Sequence, residues 1–144
     1  MAAGLHFDVV GDGRPAFAFL HGLFGRGRNW TQVAKGLAAL GWTSVLFDLP
    51  NHGASPWTEH FSYPEMAGLV ADEIEARLGP DAALTLAGHS MGGKVAMLTA
   101  LARPRLVSSL AVIDIAPTRS DQVSGFATYF GAMDALDLAT LANR

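Results

Sequence analysis

The residues best suited to chemistry in this chain form one short segment, Gly88–Gly92, which reads Gly-His-Ser-Met-Gly. A serine between two glycines, in the pattern G-x-S-x-G, is a candidate nucleophile for acyl transfer. The string is short, and its meaning comes from its setting: a strand-like apolar stretch precedes Ser90 and a helix-like stretch follows it. A sharp turn between strand and helix strains the serine backbone and exposes its hydroxyl, and it leaves no space for larger side chains in place of the glycines. We therefore predict that Ser90 is a catalytic nucleophile.

Two other interpretations of the same segment are open. Ser90 could be the N-cap of the following helix and nothing more. Gly88–Lys94 also begins like a phosphate-binding loop, G-x-x-x-x-G-K. The next residue of such a loop must be Ser or Thr to hold the nucleotide's magnesium, and here it is Val95, whose side chain has no oxygen. The sequence therefore disfavours a nucleotide, and it predicts no metal and no organic cofactor.

A second glycine-rich segment, His21–Gly25, can supply the electrostatic part of acyl transfer. The reaction places negative charge on the attacked carbonyl oxygen, and backbone N–H groups fixed at a loop and at a helix start stabilise that charge. We predict that the N–H of Leu23, with that of Phe24 as the alternative, faces the N–H of Met91. An ordinary glycine-rich turn between a strand and a helix is the other interpretation of this segment.

Strands and helices alternate along the chain in a way that brings these segments together. Short apolar runs predict strands, and apolar residues at helical spacing predict helices. The predicted strands are Leu5–Val10, Ala16–Leu20, Thr43–Phe47, Ala83–Ala87 and Val107–Ile115, and the predicted helices begin at Asn29, at Ser62, at the Ser90 turn and at Ser120. This order predicts a three-layer, mainly parallel α/β sheet, with functional residues at the carboxyl ends of the strands.

Composition and charge exclude several classes of partner. The chain has 144 residues, 50% of them hydrophobic, which suits one soluble globular core. Ten Lys and Arg residues against 13 Asp and Glu give a net charge of −3 with no basic cluster, so a nucleic acid is not expected. The absence of cysteine removes thiolate nucleophiles, disulfides and Cys-based zinc sites. Without a signal-like N-terminus or a long uninterrupted apolar stretch, we predict no membrane span and a cytoplasmic location.

Together the motifs resemble the α/β-hydrolase superfamily, and the resemblance covers nearly the whole chain. The patterns H-G-x-x-G, D-x-x-x-H-G-x-S and G-H-S-M-G-G occur in the order that the family has, at His21–Gly25, Asp48–Ser55 and Gly88–Gly93. With Val112–Pro117, they are most similar to small bacterial YbfF-type esterases and their mitochondrial abhydrolase relatives.

The resemblance implies a role for each matching position. It implies Ser90 as the nucleophile and the backbone N–H groups of Leu23 and Met91 as donors to the oxyanion. It also makes Asp114, at the end of the strand after the serine turn, a candidate for the acid that holds a catalytic imidazole. Many family members carry that acid one strand later, so a turn-capping role before Pro117 is the alternative for Asp114.

One part of the family pattern does not occur in these 144 residues. The family's chain order is Ser, then an acid, then His, whereas all five histidines here precede Ser90. His21 and His52 lie in loops at the appropriate end of the sheet and are the alternatives for the base, although the family uses them for loop structure. We expect residues 1–118 to be the N-terminal part of a hydrolase core and residues 119–144 to begin a helical cap. We also expect the chain to be a poor hydrolase with an uncovered edge strand around Leu110–Ile113.

The resulting prediction is a serine hydrolase that cleaves carboxylic esters or acyl thioesters through an acyl-enzyme on Ser90. Its substrate would be a small-molecule acyl ester or thioester. The sequence does not indicate whether the protein is a monomer or an oligomer. Phe24, together with Phe126, Tyr129 and Phe130, is predicted to line an acyl pocket, with ordinary helix packing as the alternative. Two other functions stay open: a hydrolase or lyase that breaks C–C bonds on the same scaffold, and a catalytically silent chain that only binds.

Overall fold

The computed structural model describes residues 4–118 and 123–140. Its strands are β1 (Phe7–Val10), β2 (Pro15–Leu20), β3 (Thr43–Phe47), β4 (Leu84–His89) and β5 (Val107–Ile113), and its helices are α1 (Thr31–Ala39), α2 (Tyr63–Leu78), α3 (Met91–Ala102) and α4 (Val123–Asp134). The predicted helix start at Ser120 and residues 141–144 lie outside the described ranges. Within those ranges, no helix has the length and apolar character that a bilayer crossing requires.

The five strands form one sheet in the order β1-β3-β2-β4-β5. β1 runs antiparallel to β3, and every other neighbouring pair is parallel. The mainly parallel α/β sheet predicted from the alternation of strands and helices is therefore confirmed. Because parallel strands end at the same edge, the loops that follow β2, β3, β4 and β5 all lie at one edge of the sheet.

Helices cover both faces of the sheet and give it three layers. On one face, Val70 of α2 and Val95 of α3 pack in the same buried cluster as Leu20 of β2. On the other face, Ala34 of α1 packs in a smaller cluster with Phe19 of β2. Successive residues of a strand point to opposite faces, which is why neighbours on β2 belong to different clusters. The central strands are thus buried on both sides and provide rigid support for the loops at their ends.

The first helix begins later than the sequence prediction placed it. Gly27–Trp30 forms a short 3₁₀ turn, and α1 starts only at Thr31. The reason is a side-chain contact: the Asn29 oxygen accepts a hydrogen bond from the N–H of Arg26 at 2.6 Å. Asn29 therefore closes the 3₁₀ turn from inside it and does not act as the N-cap of the α-helix.

The last strand of the sheet ends two residues earlier than predicted. β5 stops at Ile113, because Asp114 has a φ of 58°, a left-handed conformation incompatible with a strand. Among the described strands, β5 pairs only with β4 and forms an edge of the sheet. Leu110 and Ile113 on β5 are 42% and 38% exposed. The edge strand expected from the sequence is present, and its apolar side chains are partly open to solvent.

Candidate active site

Ser90 occupies a strained turn between β4 and α3. Its φ and ψ are 50° and −115°, a conformation that L-residues rarely adopt. A Cβ on Gly88 would lie 2.2 Å from the carbonyl oxygen of Gly92, and a Cβ on Gly92 would lie 2.5 Å from the carbonyl oxygen of His21. The Ser90 N–H donates to the carbonyl of Ile113 on β5 at 2.9 Å. The backbone around Ser90 is therefore fixed by contacts on three sides.

The loop after β2 is a tight turn that presents one of its two candidate N–H groups. The Gly25 N–H donates to the carbonyl of Gly22 at 2.9 Å, and Phe24 takes a positive φ of 63° inside this turn. The Phe24 N–H donates to Nε2 of His52 at 3.2 Å and is thereby occupied. Of the two donors that the sequence proposed, Leu23 is the one whose N–H stays available.

The start of α3 lies directly against the end of β2. Gly92 packs so closely on the carbonyl groups of Leu20 and His21 that an added Cβ would lie 2.5 Å from each oxygen. Met91 is the first residue of α3, and the first N–H groups of a helix have no partner within it. In the described part of the chain, neither the Met91 N–H nor the Leu23 N–H donates a hydrogen bond. The positive end of the helix dipole also lies beside Ser90, which favours developing negative charge there.

The histidines of the two neighbouring loops are both engaged by backbone groups. Nδ1 of His21 donates to the carbonyl of Gly22 at 2.7 Å, and its Nε2 accepts the N–H of Leu49 at 3.0 Å. Nδ1 of His52 donates to the carbonyl of Pro50 at 2.9 Å, while its Nε2 accepts the N–H of Phe24 at 3.2 Å. A general base needs a nitrogen with a free lone pair. Both rings therefore act as loop supports in this geometry, and neither offers such a nitrogen to Ser90.

The carboxylate of Asp48 joins three segments beneath the site. It accepts hydrogen bonds from the N–H of Gly27 at 2.7 Å and of Ala54 at 2.8 Å, and it pairs with Nδ1 of His6 at 3.1 Å. Burial acts to raise the pKa of Asp48, but those two N–H donors and the neighbouring His6 and His21 together lower it below the ordinary value. The ionised carboxylate is thus the form that holds the loops together.

Stability is expected to fall as the solution becomes acidic, with a first loss near neutral pH. Burial is the main cause that lowers the pKa of His21 below its ordinary value of 6.5. Below about pH 6.5 the unfolded chain therefore binds a proton at His21 more readily than the folded chain does. The free energy of unfolding decreases as the pH drops through this range. Because the pKa of Asp48 is also lowered, a second loss follows below about pH 4. Urea unfolding between pH 8 and pH 3 measures both steps, and a free energy that stays constant from pH 7.5 to 5.5 would contradict the first.

A cleft of about 550 Å³ opens above Ser90 at the carboxyl edge of the sheet. Its walls are His21, Gly22, Leu23, Phe24, Gly25, Asn29, Trp30, His89, Ser90 and Phe126. Sequence reasoning missed Asn29, Trp30 and His89 as parts of this cleft. Asn29 and Trp30 lie between β2 and α1, directly after the glycine-rich loop. Their position after the carboxyl end of β2 could have indicated that they line the cleft.

The four aromatic residues predicted to bind substrate take different positions. Phe24 and Phe126 line the cleft. Phe130 packs edge to face on Phe24, with the ring centres 5.8 Å apart. Tyr129 is 67% exposed, lies 6.5 Å from the ring of Phe126 and is not among the lining residues. The structure therefore groups three of the four rings around the mouth of the cleft.

Asp114 lies one residue beyond β5, at the same edge of the sheet as Ser90. Its side chain is 82% exposed, and its Oδ2 is 3.7 Å from Nε2 of His89. Among the described residues, His89 is the imidazole with which this carboxylate pairs. The structure brings Asp114 to the edge of the site, and its role as the acid of a triad stays a prediction.

The features of a nucleotide or metal site are not assembled in the described ranges. The Lys94 ammonium donates to the carbonyl of Ala116 at 2.6 Å and also to that of Thr118, so it is held by backbone rather than presented to a phosphate. Val95, at the position where a phosphate loop needs a hydroxyl, is fully buried in the core. No cluster of three or more His, Cys, Asp or Glu residues able to hold a metal ion is found in residues 4–118 and 123–140.

The amino-acid sequence is similar to those of known proteins. A family model described as alpha/beta hydrolase fold matches residues 15–144. The sn-1-specific diacylglycerol lipase ABHD11 of Danio rerio is 41% identical over 129 residues, which cover 88% of this chain and 39% of that relative. The chain thus spans about two-fifths of the length of this relative.

Solved structures resemble the fold closely. A structure titled marine microorganism esterase matches with a TM-score of 0.84 and 33% identity, over 97% of this chain and 54% of that chain. The thioesterase domain from the curacin biosynthetic pathway matches with a TM-score of 0.70 and 28% identity, over 89% of this chain and 48% of that chain.

Proposed function

The chain belongs to the α/β-hydrolase fold family, and from that premise we propose that it is a serine hydrolase acting on carboxylic esters or acyl thioesters. The observation that carries the proposal is Ser90 in a strained turn, on the wall of a 550 Å³ cleft shared with Leu23. Relatives described as a lipase, an esterase and a thioesterase support the substrate class. The matched region covers 39% of the first of these relatives, so we also propose, rather than observe, that a whole enzyme containing this chain has this activity.

The proposed reaction is acyl transfer in two steps. Oγ of Ser90 attacks the acyl carbon, the carbonyl oxygen takes up negative charge, and the N–H groups of Leu23 and Met91 stabilise that charge. The tetrahedral intermediate then expels the alcohol or thiol, which leaves with a proton, and the acyl group stays on Oγ. Water attacks the acyl-enzyme in the second step, releasing the acid and restoring the Ser90 hydroxyl. Asp114 enters the proposal as the carboxylate that would orient a catalytic imidazole.

Turnover by these 144 residues is proposed to be slow. All five histidines precede Ser90 in the chain, and both ring nitrogens of His21 and of His52 are engaged by backbone groups. With the His21 and His52 rings engaged, we propose that Ser90 attacks as a neutral alcohol that loses its proton to solvent. The loss of one triad member costs on the order of 10⁴ to 10⁶ in kcat, and the oxyanion donors and the cleft account for what is left.

A fluorophosphonate probe tests the nucleophile without requiring turnover. The Ser90 oxygen displaces fluoride from phosphorus, its proton passes to solvent, and the adduct stays on the protein. We expect slow labelling that approaches one adduct per chain, located at Ser90 by mass spectrometry of peptides. An intact chain that stays unlabelled, or an adduct at another residue, would overturn the proposal and favour a chain that only binds.

Phe24 is expected to favour long acyl chains over short ones. Its ring lines the cleft and is held by Phe130, so an alkyl chain can bury apolar surface against it. Phe24→Ala should lower the ratio of labelling rates for a dodecyl and an ethyl fluorophosphonate by about fivefold, since roughly 1 kcal/mol of apolar contact is lost. Leu101→Ala is the matched control, because Leu101 is 79% exposed on α3 and lies outside the cleft lining. An unchanged ratio in Phe24→Ala would exclude this role.

A further inference from the structure

His89 lies in the cleft wall, between the loop after β2 and Asp114 at the end of β5. It is the last residue of β4, directly before Ser90, and its imidazole forms part of the cleft wall. On one side the ring lies against Gly22: a Cβ on that glycine would lie 2.9 Å from Nδ1 and 3.3 Å from Cε1 of His89. The ring therefore occupies the space that a side chain on the loop after β2 would need.

On its other side the imidazole faces Asp114. Nε2 of His89 is 3.7 Å from Oδ2 of the carboxylate, and Asp114 holds the left-handed φ of 58° that ends β5. The segment after it is held by Lys94, whose ammonium donates to the carbonyl groups of Ala116 and Thr118. With 44% and 82% of the two side chains exposed, the pair contributes little to fold stability. The contact with Asp114 can instead orient the His89 ring.

The loop after β2 is held by hydrogen bonds on both sides of Leu23, and the Gly22 carbonyl itself accepts from the Gly25 N–H and from Nδ1 of His21. His21 is anchored at both ring nitrogens, the Phe24 N–H is held by His52, and the Gly25 N–H closes the turn. Gly22, between His21 and Leu23, has no side chain with which to pack. The His89 ring fills that gap.

Resting on the proposed function, we propose that His89 is a positioning residue for the oxyanion loop: Asp114 orients its imidazole, and the imidazole fixes Gly22 and with it the N–H of Leu23. The reason is geometric. Donors to an oxyanion act only when they are held at hydrogen-bond distance from the developing charge, and a shift of about 1 Å can cost two orders of magnitude in rate. A packed ring beside Gly22 limits such a shift.

Single substitutions at His89 and Asp114 test this role through the rate of fluorophosphonate labelling at Ser90. His89→Ala should slow labelling about tenfold, less than the loss of a whole oxyanion donor. Asp114→Asn should slow it about threefold when His89 is present and should have no further effect in the His89→Ala background. His89→Gln, which refills much of the space and can donate to Asp114, should recover part of the loss. His60→Ala is the control, because His60 is exposed and lies outside this cleft. Equal rates in His89→Ala and the unsubstituted chain would overturn the proposal.

A double substitution separates positioning from a general loss of structure. Gly22→Ala places a methyl group against the His89 ring, so it should slow labelling about tenfold in the unsubstituted chain. In the His89→Ala background the ring is gone, and the same substitution should slow labelling less than threefold. An equal effect of Gly22→Ala in both backgrounds would contradict contact between the loop and the ring.

Hydrogen exchange keeps the two proposals distinguishable. Amide exchange in the peptide that contains residues 21–25 should be faster in His89→Ala than in the unsubstituted chain, while exchange in β3 stays the same. This measurement does not depend on reactivity at Ser90. If the chain is not labelled at all, the proposed function fails while exchange still decides the role of His89. If labelling occurs and exchange in the loop is unchanged, the positioning role fails and the hydrolase proposal stands.

Discussion

Ser90→Ala is expected to abolish fluorophosphonate labelling, while the free energy of unfolding stays within about 0.5 kcal/mol of the unsubstituted chain. The substitution removes the attacking oxygen and keeps a Cβ in the same backbone conformation. The turn is held by the contact of Gly92 with β2 and by the hydrogen bond from the Ser90 N–H to Ile113, and neither uses the hydroxyl. Labelling that persists in this variant would place the reactive group elsewhere.

Ser90→Gly measures the backbone strain of the Ser90 turn independently of the reactivity of the hydroxyl. A non-glycine residue at φ 50° and ψ −115° carries strain of order 1–3 kcal/mol, and glycine adopts this conformation without it. Part of the gain is lost because glycine is more flexible in the unfolded chain. We expect Ser90→Gly to be about 1 kcal/mol more stable than Ser90→Ala, measured by urea unfolding. A less stable glycine variant would mean that the turn is not strained in solution.

Gly92→Ala is expected to lower the free energy of unfolding by about 3 kcal/mol and the Tm by roughly 10 °C. The added methyl group would lie 2.5 Å from the carbonyl oxygens of Leu20 and His21. Both atoms are backbone of the region where β2 meets its loop, so no side chain can turn aside to make room. The start of α3 must then move away from β2, and labelling at Ser90 should fall together with the Tm.

Gly36→Ala is the matched control for this prediction. Gly36 lies in α1, and a Cβ there meets no atom within 4 Å. Alanine is the better helix former, so this variant should gain about 0.5–1 kcal/mol and keep the labelling rate of the unsubstituted chain. Calorimetry of both variants measures the difference. A stable Gly92→Ala chain would show that the close packing of α3 on β2 is absent in solution.

Local sequence patterns predicted most of the fold. Apolar runs such as Thr43–Phe47 predicted the strands, since a strand buried on both faces needs apolar side chains at every position. The Ser62 cap was also readable, because its side chain accepts the Glu65 N–H within the same turn. The prediction failed where a single contact or dihedral decided a boundary, as at Asn29 and Asp114.

By itself the sequence determined the order of strands and helices, the glycines that a tight turn at Ser90 requires, and hence which loops share one edge of the sheet. These follow from interactions between near neighbours in the chain. Only the tertiary structure decided that His52 takes up the Phe24 N–H and leaves that of Leu23 available, and that His89 lies between Gly22 and Asp114. Such contacts join residues on separate strands and loops, and their distances depend on how the whole sheet packs, which no local pattern encodes.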